Sequence, residues 1–536
     1  MMDTPLTIVS MLERAEKYFP KKEVISRTYN GVQRFTYAQT GRRTRALASA
    51  LEKLGVKKGD RVGTLAWNHH RHLEVYFAAP SMGAVLHTIN IRLSAEHLIY
   101  IINHAEDKVL LIDIDLLPLI ENVKDQLISV KTFIVMSDEK EVPESTIEGL
   151  YSYEQLVAVG DESYEFSKDI EEEDPAGMCY TSATTGKPKG VIYTHRGIVL
   201  HSTALSMADT AAISESDRVM PVVPMFHVNA WGMPFVAMML GATQVLPGPM
   251  MTPQVIAEMM DEYKVTISAG VPTIWLGLLQ VLEKGTYDTS SLRAILCGGS
   301  AAPKSMIRAF ETDFNIPFMH AYGMTETTPL VTLARLKSYQ TDLPEEERLE
   351  IRSRQGQVVP GLEIKVVDDE GHEVKSDGNA MGELLVRGPW IADEYYNDDR
   401  TEDAFKDGWL YTGDVVTIDD EGSIKIVDRM GDLIKSGGEW ISSVDLENAL
   451  MAHESIFEAA VVSIPDQKWQ ERPVACIVLK EGQDISTEEV LEFLESQFAK
   501  WWLPDEVLIM ETIPKTSVGK FLKRELRKDV KKLLAK

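Results

Sequence analysis

The chain has 536 residues, 44% of them hydrophobic, with three cysteines and a formal net charge of −27. That length exceeds what a single core supports and predicts several domains. The acidic balance excludes a nucleic-acid partner, because a phosphate backbone needs a basic face. Cys179, Cys297 and Cys476 stand far apart without CxxC spacing, which argues against a disulfide framework or structural zinc and fits a reduced compartment.

The N-terminal stretch MMDTPLTIVSMLERAEKYFP lacks the basic start and apolar run of a signal peptide, so no export is implied and a cytoplasmic location is expected. Residues 43–54 have helical periodicity, 61–66 read as a strand, 94–104 as a helix and 109–113 as a strand, an alternating α/β rhythm. His69, His70 and His72 lack acids or cysteines at ligand spacing and read as surface residues rather than a metal site. An acidic connector at 171–174 precedes Pro175 and a short apolar strand at 177–180, which leads into TSATTGKPKG.

Residues 219–257 form the longest run without Asp, Glu, Lys or Arg, but six prolines break it, so a membrane-spanning helix of roughly 20 residues is excluded. Buried strands and short helices, forming the wall of an apolar pocket, are expected instead. From 361 to 427 short alternating strands separated by Asp-Glu-Gly turns predict a β-rich subdomain. After Arg429 the rhythm changes again. Strands at 458–464 and 474–479 and a Ser486/Glu489 capping box ahead of a helix predict an α+β domain of about 100 residues.

The loop YTSATTGKPKG, residues 180–190, is built for phosphate. Ser182, Thr184 and Thr185 can donate hydrogen bonds, Gly186 and Gly190 permit tight turns, and Lys189 supplies charge. It is not a Walker loop, since Pro188 follows Gly186-Lys187 and Thr181 stands where the first glycine is required. It also lacks GxGxxG, which removes the main support for a Rossmann oxidoreductase. On these residues alone a polar surface loop is an equal reading. HAYGMTETTP, residues 320–329, adds a carboxylate beside hydroxyls that could hold magnesium and a tyrosine on which a base could stack, although a helix N-cap explains it as well. CGGSAAP falls short of a GxSxG nucleophile elbow because Ala302 occupies the second glycine position. A protein of this net charge that handles phosphate has to concentrate cations locally, and Lys187, Lys189, Arg196, Arg429, Lys435 and Lys520 accompany these motifs.

TSATTGKPKG, HAYGMTETTP, WLYTGD, DRMGDLIKSGGEWIS and PKTSVGKFLKR occur in the order characteristic of the adenylate-forming superfamily of acyl-CoA synthetases, luciferases and peptide-synthetase adenylation domains. The resemblance spans nearly the whole chain. PMFHVNAWGMP and KSGGEWISSVDLENAL look most like bacterial medium- to long-chain fatty-acyl-CoA synthetases. It implies an α/β fold with a large N-terminal domain at 1–428, including the β-rich part at about 361–428, and a small mobile α+β lid at 429–536. ATP, Mg2+ and CoA are the implied cofactor and co-substrates, a fatty acid the substrate, and a homodimer the assembly.

Residue by residue, the resemblance implies that Thr181, Ser182, Thr184, Thr185, Gly186 and Lys189 hold phosphates, with Thr184 and Glu326 near magnesium. Gly298, Gly299, Ser300, Ala321, Tyr322 and Gly323 would frame adenine, and Thr325 would contact the α-phosphate. Asp414, assisted by Arg429, would accept the ribose hydroxyls. Lys520 would bind the carboxylate and bridging oxygen as the adenylate forms. Asp432 is the implied hinge and Lys435 a nucleotide contact, with Gly437, Gly438 and Trp440 facing the nucleotide and the CoA channel. His227 would lie near the acyl carboxyl. Trp231 resembles an aromatic gate, with ordinary core the alternative. Ala183 departs from the usual glycine of this loop and keeps open a second reading, a relative that binds acyl-adenylate with impaired turnover. A third keeps the chemistry on a short, branched, sulfur-containing or aryl acid.

Overall fold

The computed structural model describes residues 2, 4–181, 187–285, 287–437, 439–516 and 519–534. Two large sheets form the body. One has seven strands in the order Tyr151–Ser152, Thr132–Met136, Asp107–Asp113, Arg61–Leu65, Val85–Thr88, Pro175–Tyr180 and Gly190–Thr194, all parallel except the last pair. That final antiparallel pair is the hairpin that carries the phosphate-like loop. In the second sheet Glu23–Thr28, Thr243–Leu246, Arg218–Pro221, Ile267–Gly270, Ala294–Cys297 and Phe318–Gly323 run parallel. Several are short and wholly buried, as parallel strands covered on both faces require.

Strands occupy the 361–428 stretch, but they do not make a sheet of their own. Glu363–Val367, Met381–Arg387, Trp409–Ile418 and Ser423–Arg429 continue the second sheet through Gly356–Val358 and Leu330–Leu333. Residues after Arg429 build a separate five-stranded sheet from Ile434–Ser436, Glu439–Ile441, Ile456–Asp466, Gln470–Leu479 and Glu506–Ile509. Helices Ser443–Met451 and Thr487–Glu495 supply buried side chains to its core. The Ser486/Glu489 capping box forms as the sequence predicts.

The helix of residues 43–54 begins earlier, at Tyr37, because Thr36 and Gln39 form a capping box. The uncharged 219–257 run contains the expected strands and the short helix Met233–Leu240. No described helix is long and apolar enough to cross a membrane.

The histidine cluster is a correction. His69, His70 and His72 lie in the core, on and just before the wholly buried helix His70–Ser81. Each ring meets a partner that sequence spacing does not reveal: Asp113 at 2.7 Å from His69, Ser26 at 3.0 Å from His70 and Thr64 at 2.9 Å from His72. Further along that helix Glu74 is fully buried, gripped by Arg43 and accepting 2.6 Å from the Tyr153 hydroxyl. Replacing Glu74 with Ala leaves Arg43 with Glu154 alone and the Tyr153 hydroxyl without its acceptor, and is expected to cost about 1.5–3 kcal/mol, read as a lowered thermal unfolding midpoint.

Candidate active site

Parallel strands leave a crevice beyond their carboxyl ends, and that is where the candidate residues collect. Pro175–Tyr180 delivers Thr181, Ala294–Cys297 delivers Gly298 and Gly299, and Phe318–Gly323 leads into a short turn, Thr325–Thr327, that carries Glu326. Two adjoining chambers open here, of about 550 and 190 Å³. Gly299, Ala321, Tyr322, Gly323, Arg429 and Lys520 line both. The smaller also takes in Ser300, Asp414 and Asp432. The larger takes in Thr181, Lys189, His227, Trp231, Gly298, Thr325 and Glu326.

Two carboxylates, each 4% exposed, organise the polar walls. Asp414 accepts a 2.6 Å hydrogen bond from the Tyr322 hydroxyl and pairs with Arg429 at 3.2 Å. Glu326 accepts 2.7 Å from the Tyr395 hydroxyl, which in turn accepts 2.7 Å from Lys189. Lys189 and Glu326 stand 3.9 Å apart. Burial, followed by the charge of Glu326, drives the Tyr395 phenol well above its ordinary range, so its hydroxyl remains a donor.

Lys520 enters from the C-terminal sheet domain and lies at the junction of the chambers. Gly299, at φ +84, is left-handed, and a methyl added there would sit 3.3 Å from the Lys520 Cε. Burial and then the Arg429 charge lower the Lys520 ammonium to about 8, with Asp414 and Glu326 opposing. His227 is pushed down to about 3 by burial and by the positive charge of Lys520, so its imidazole is neutral.

Beyond His227 the chamber becomes apolar, with Leu205, Val228, Trp231, Met233, Leu296 and Leu330 in its wall. Val228, Asn229, Ala230 and Trp231 all have positive φ, between 43° and 56°, a left-handed turn of four residues without a glycine. Each such residue costs about 1–2 kcal/mol, so the surroundings must enforce the turn. Its Trp231 ring is close enough to Gly298 that a methyl there would lie 3.3 Å away.

Thus Thr181, Lys189, His227, Trp231, Gly298, Gly299, Ser300, Ala321, Tyr322, Gly323, Thr325, Glu326, Asp414, Arg429, Asp432 and Lys520 are gathered at one site. Ser182, Ala183, Thr184, Thr185, Gly186 and Gly438 lie outside the described residues. Lys435, Gly437 and Trp440 line neither chamber; Lys435 instead lies over the Trp440 ring at 5.1 Å. Arg196 does not join the cation cluster, because Glu172 and Glu173 pair with it. Tyr395 and Arg400 line the larger chamber and were missed. Their only sequence signal is an aromatic pair within the acidic loop DEYYNDDR.

The fold gathers buried carboxylates, cations and an apolar wall around one α/β crevice. The chain belongs to the AMP-binding enzyme family, whose model matches residues 12–396, with the family's C-terminal domain matching 445–520. It is 50% identical to a long-chain-fatty-acid–CoA ligase of Thermus thermophilus, covering 99% of this chain and 97% of that protein. It is 45% identical to a 3-methylmercaptopropionyl-CoA ligase of Ruegeria lacuscaerulensis, covering 100% and 99%. The crystal structure of an anthranilate CoA ligase in complex with anthranoyl-AMP superposes with a TM-score of 0.89 at 26% identity, covering 100% and 99% of the two chains.

Gly299→Ala adds both backbone strain and a methyl against Lys520, and is expected to weaken ATP binding about tenfold by calorimetry, equivalent to roughly 1.4 kcal/mol.

Proposed function

We propose that this protein is an ATP-dependent fatty-acid:CoA ligase, acting through an acyl-AMP intermediate with release of pyrophosphate. The observation that carries the reading is the meeting of Lys520 with both chambers: one lysine lines the chamber of Asp414 and also the chamber that holds Glu326, His227 and the apolar wall. Similarity to the Thermus long-chain ligase supports the acid class.

A carboxylate is a poor electrophile, so the first half-reaction makes it a mixed anhydride. Its oxygen attacks the α-phosphorus of ATP and the bond to pyrophosphate breaks. Lys520 neutralises charge between the carboxylate and the bridging oxygen, and Lys189 does so on the departing pyrophosphate. Asp414 accepts two hydrogen bonds from the ribose diol, with Arg429 holding its other face. Tyr322 offers its ring to adenine, and Thr325 a hydroxyl to the α-phosphate. His227, neutral, can donate to the acid without competing for it electrostatically. In the second half-reaction the CoA thiolate attacks the acyl carbon and AMP leaves. Turning about Asp432 would bring Gly437, Gly438, Lys435 and Trp440 to the site in place of Lys520, so that one pocket serves both steps.

Glu326 suits magnesium chemically. Among the described residues no group of three or more His, Cys, Asp or Glu could hold an ion. One buried carboxylate with the nucleotide phosphates, however, is the usual arrangement for this cation. Glu326, with Thr184, would hold it, and it would neutralise charge on the β- and γ-phosphates. We extend to this chain the expectation of a cytoplasmic location and of a homodimer.

A second reading has the same chemistry on a short sulfur-containing acid, which the Ruegeria relative favours. Each buried methylene is worth roughly 0.8 kcal/mol, so a deep pocket selects chain length steeply. Pyrophosphate release screened across carboxylic acids of graded length is expected to rise to a maximum among medium or long chains and to require the acid. Release from none of them would sink the enzyme reading. Trp231→Ala is expected to shift the preferred length, and an unchanged profile would remove the gate.

Lys520→Ala is expected to lower adenylation at least 100-fold, the scale of losing one preorganised charge contact in a transition state. Because the Lys520 cation exists below its pKa and is lost above it, kcat/KM for ATP, which reports the free enzyme, should fall as pH rises through about 8. Bound phosphates raise that pKa, so the fall in kcat should come at higher pH.

A further inference from the structure

The segment from Trp390 to Arg400 crosses between the two body sheets at the larger chamber. Its backbone touches both sides: Ala392 N–H donates 2.9 Å to the Glu326 carbonyl, and Tyr396 N–H donates 2.9 Å to the Gly190 carbonyl. Thr328 donates 2.6 Å to the Trp390 carbonyl, and Arg400 donates 3.0 Å to the Lys187 carbonyl. The phosphate-loop hairpin and the Glu326 turn, which come from different sheets, are therefore strapped together by one short segment.

Tyr395 sits at the middle of this strap, 3% exposed, with its ring packed edge-on against Phe405 at 5.1 Å. Its backbone N–H donates 3.0 Å to Thr401, whose hydroxyl also donates to the Asp398 carbonyl at 2.9 Å. The ring is thus fixed from both ends. Its hydroxyl receives one hydrogen bond from Lys189 and gives one to Glu326, each 2.7 Å, while Lys189 also lies 4.0 Å from the ring centre. A donor and an acceptor on one oxygen, bridging a cation and a carboxylate, reinforce each other in a buried site.

Resting on the ligase reading above, we propose that Tyr395 is a positioning residue for adenylate formation. Its hydroxyl aims the Glu326 carboxylate at the divalent cation that accompanies ATP, and holds Lys189 beside it for the same phosphates. Without the hydroxyl, Lys189 and Glu326 would close from 3.9 Å into a direct ion pair, and the carboxylate would turn away from the phosphates. Such outer partners of a metal-holding side chain typically carry 10–100-fold in affinity.

Tyr395→Phe keeps the ring, its packing and its place over Lys189. Calorimetric titration of ATP into wild type and Tyr395→Phe, across a series of Mg2+ concentrations and in EDTA, separates the roles. The expected result is an Mg2+ midpoint for ATP binding raised about tenfold, with a smaller loss of metal-free ATP affinity, through Lys189, and the KM for the acid unchanged. An unchanged Mg2+ midpoint would overturn the proposal, as would an equal loss with and without metal, which denotes general damage to the pocket. Should Tyr395→Phe fail to fold, Thr401→Ala, which releases the Tyr395 backbone and the Asp398 carbonyl, is expected to give the same selective shift to a smaller extent; no shift would likewise overturn it. Wild type that binds no ATP would instead refute the ligase reading itself.

Discussion

The site depends on two carboxylates kept out of water beside the place where a polyanion has to bind. Removing a carboxylate from solvent costs several kcal/mol unless close partners compensate it. Asp414 has Tyr322 and Arg429, and Glu326 has Tyr395 with Lys189 behind it. The same partners reconcile a net charge of −27 with phosphate chemistry. A distant acidic surface is screened within about 8–10 Å of salt solution, whereas contacts of about 3 Å in a closed chamber are not. Cations therefore need to be local rather than numerous, and Lys189, Arg429, Arg400 and Lys520 meet that condition.

The position of Lys520 rests on a second set of buried charges at the seam between body and C-terminal domain. Asp428, the residue before Arg429, accepts hydrogen bonds from the Ser443 backbone and hydroxyl, while Lys523 pairs with Glu447 at 2.7 Å and approaches Asp428 at 4.0 Å. Burial raises the Glu447 carboxyl to about 7, against the opposing pull of Lys523. Arg527 grips Asp432 at 2.7 Å. Lys523 and Lys520 belong to the same short segment, so contacts that hold the first against the body also deliver the second to Gly299. The contacts of Asp428 across the seam are polar and ionic, which would suit the rotation proposed for the C-terminal domain, since exchanging a pair for water sacrifices less than exposing a core.

Much of this was legible in the sequence because the informative motifs are contiguous. A glycine- and hydroxyl-rich loop after a strand, a carboxylate in a turn and a lysine near the C-terminus each keep their chemistry within a few residues, and their order along the chain carried the family. The α/β rhythm was legible for the same reason, since period and capping are local. What escaped was set by distant partners. Tyr395 meets Lys189 from 206 residues away, and nothing in DEYYNDDR marks which tyrosine points inward. His69 reads as a surface residue until Asp113, on another strand, is brought beneath it. Arg196 looked like a phosphate cation by proximity in sequence, but the acidic connector ahead of the loop claims it.

The left-handed turn at Val228–Trp231 links the residue proposed to select the acid to the one proposed to meet its carboxyl. An unstrained loop could move Trp231 without disturbing His227, but a run of four left-handed residues has few alternative conformations once its flanks are fixed. They are fixed: Asn68 accepts from the Met225 backbone and donates to the Pro221 and Val223 carbonyls, and Gly232, itself left-handed, donates to the Asn229 carbonyl at 3.0 Å. A methyl on Gly298 would meet both Trp231 and the Ala321 carbonyl, so the indole is seated against the strand end that also leads to Gly299 and Lys520. A change in the Trp231 pose is therefore transmitted to the wall of the reacting centre through one glycine. In this fold the residue proposed to face the acyl chain is packed against the strand end that leads to the residues proposed to face the phosphate.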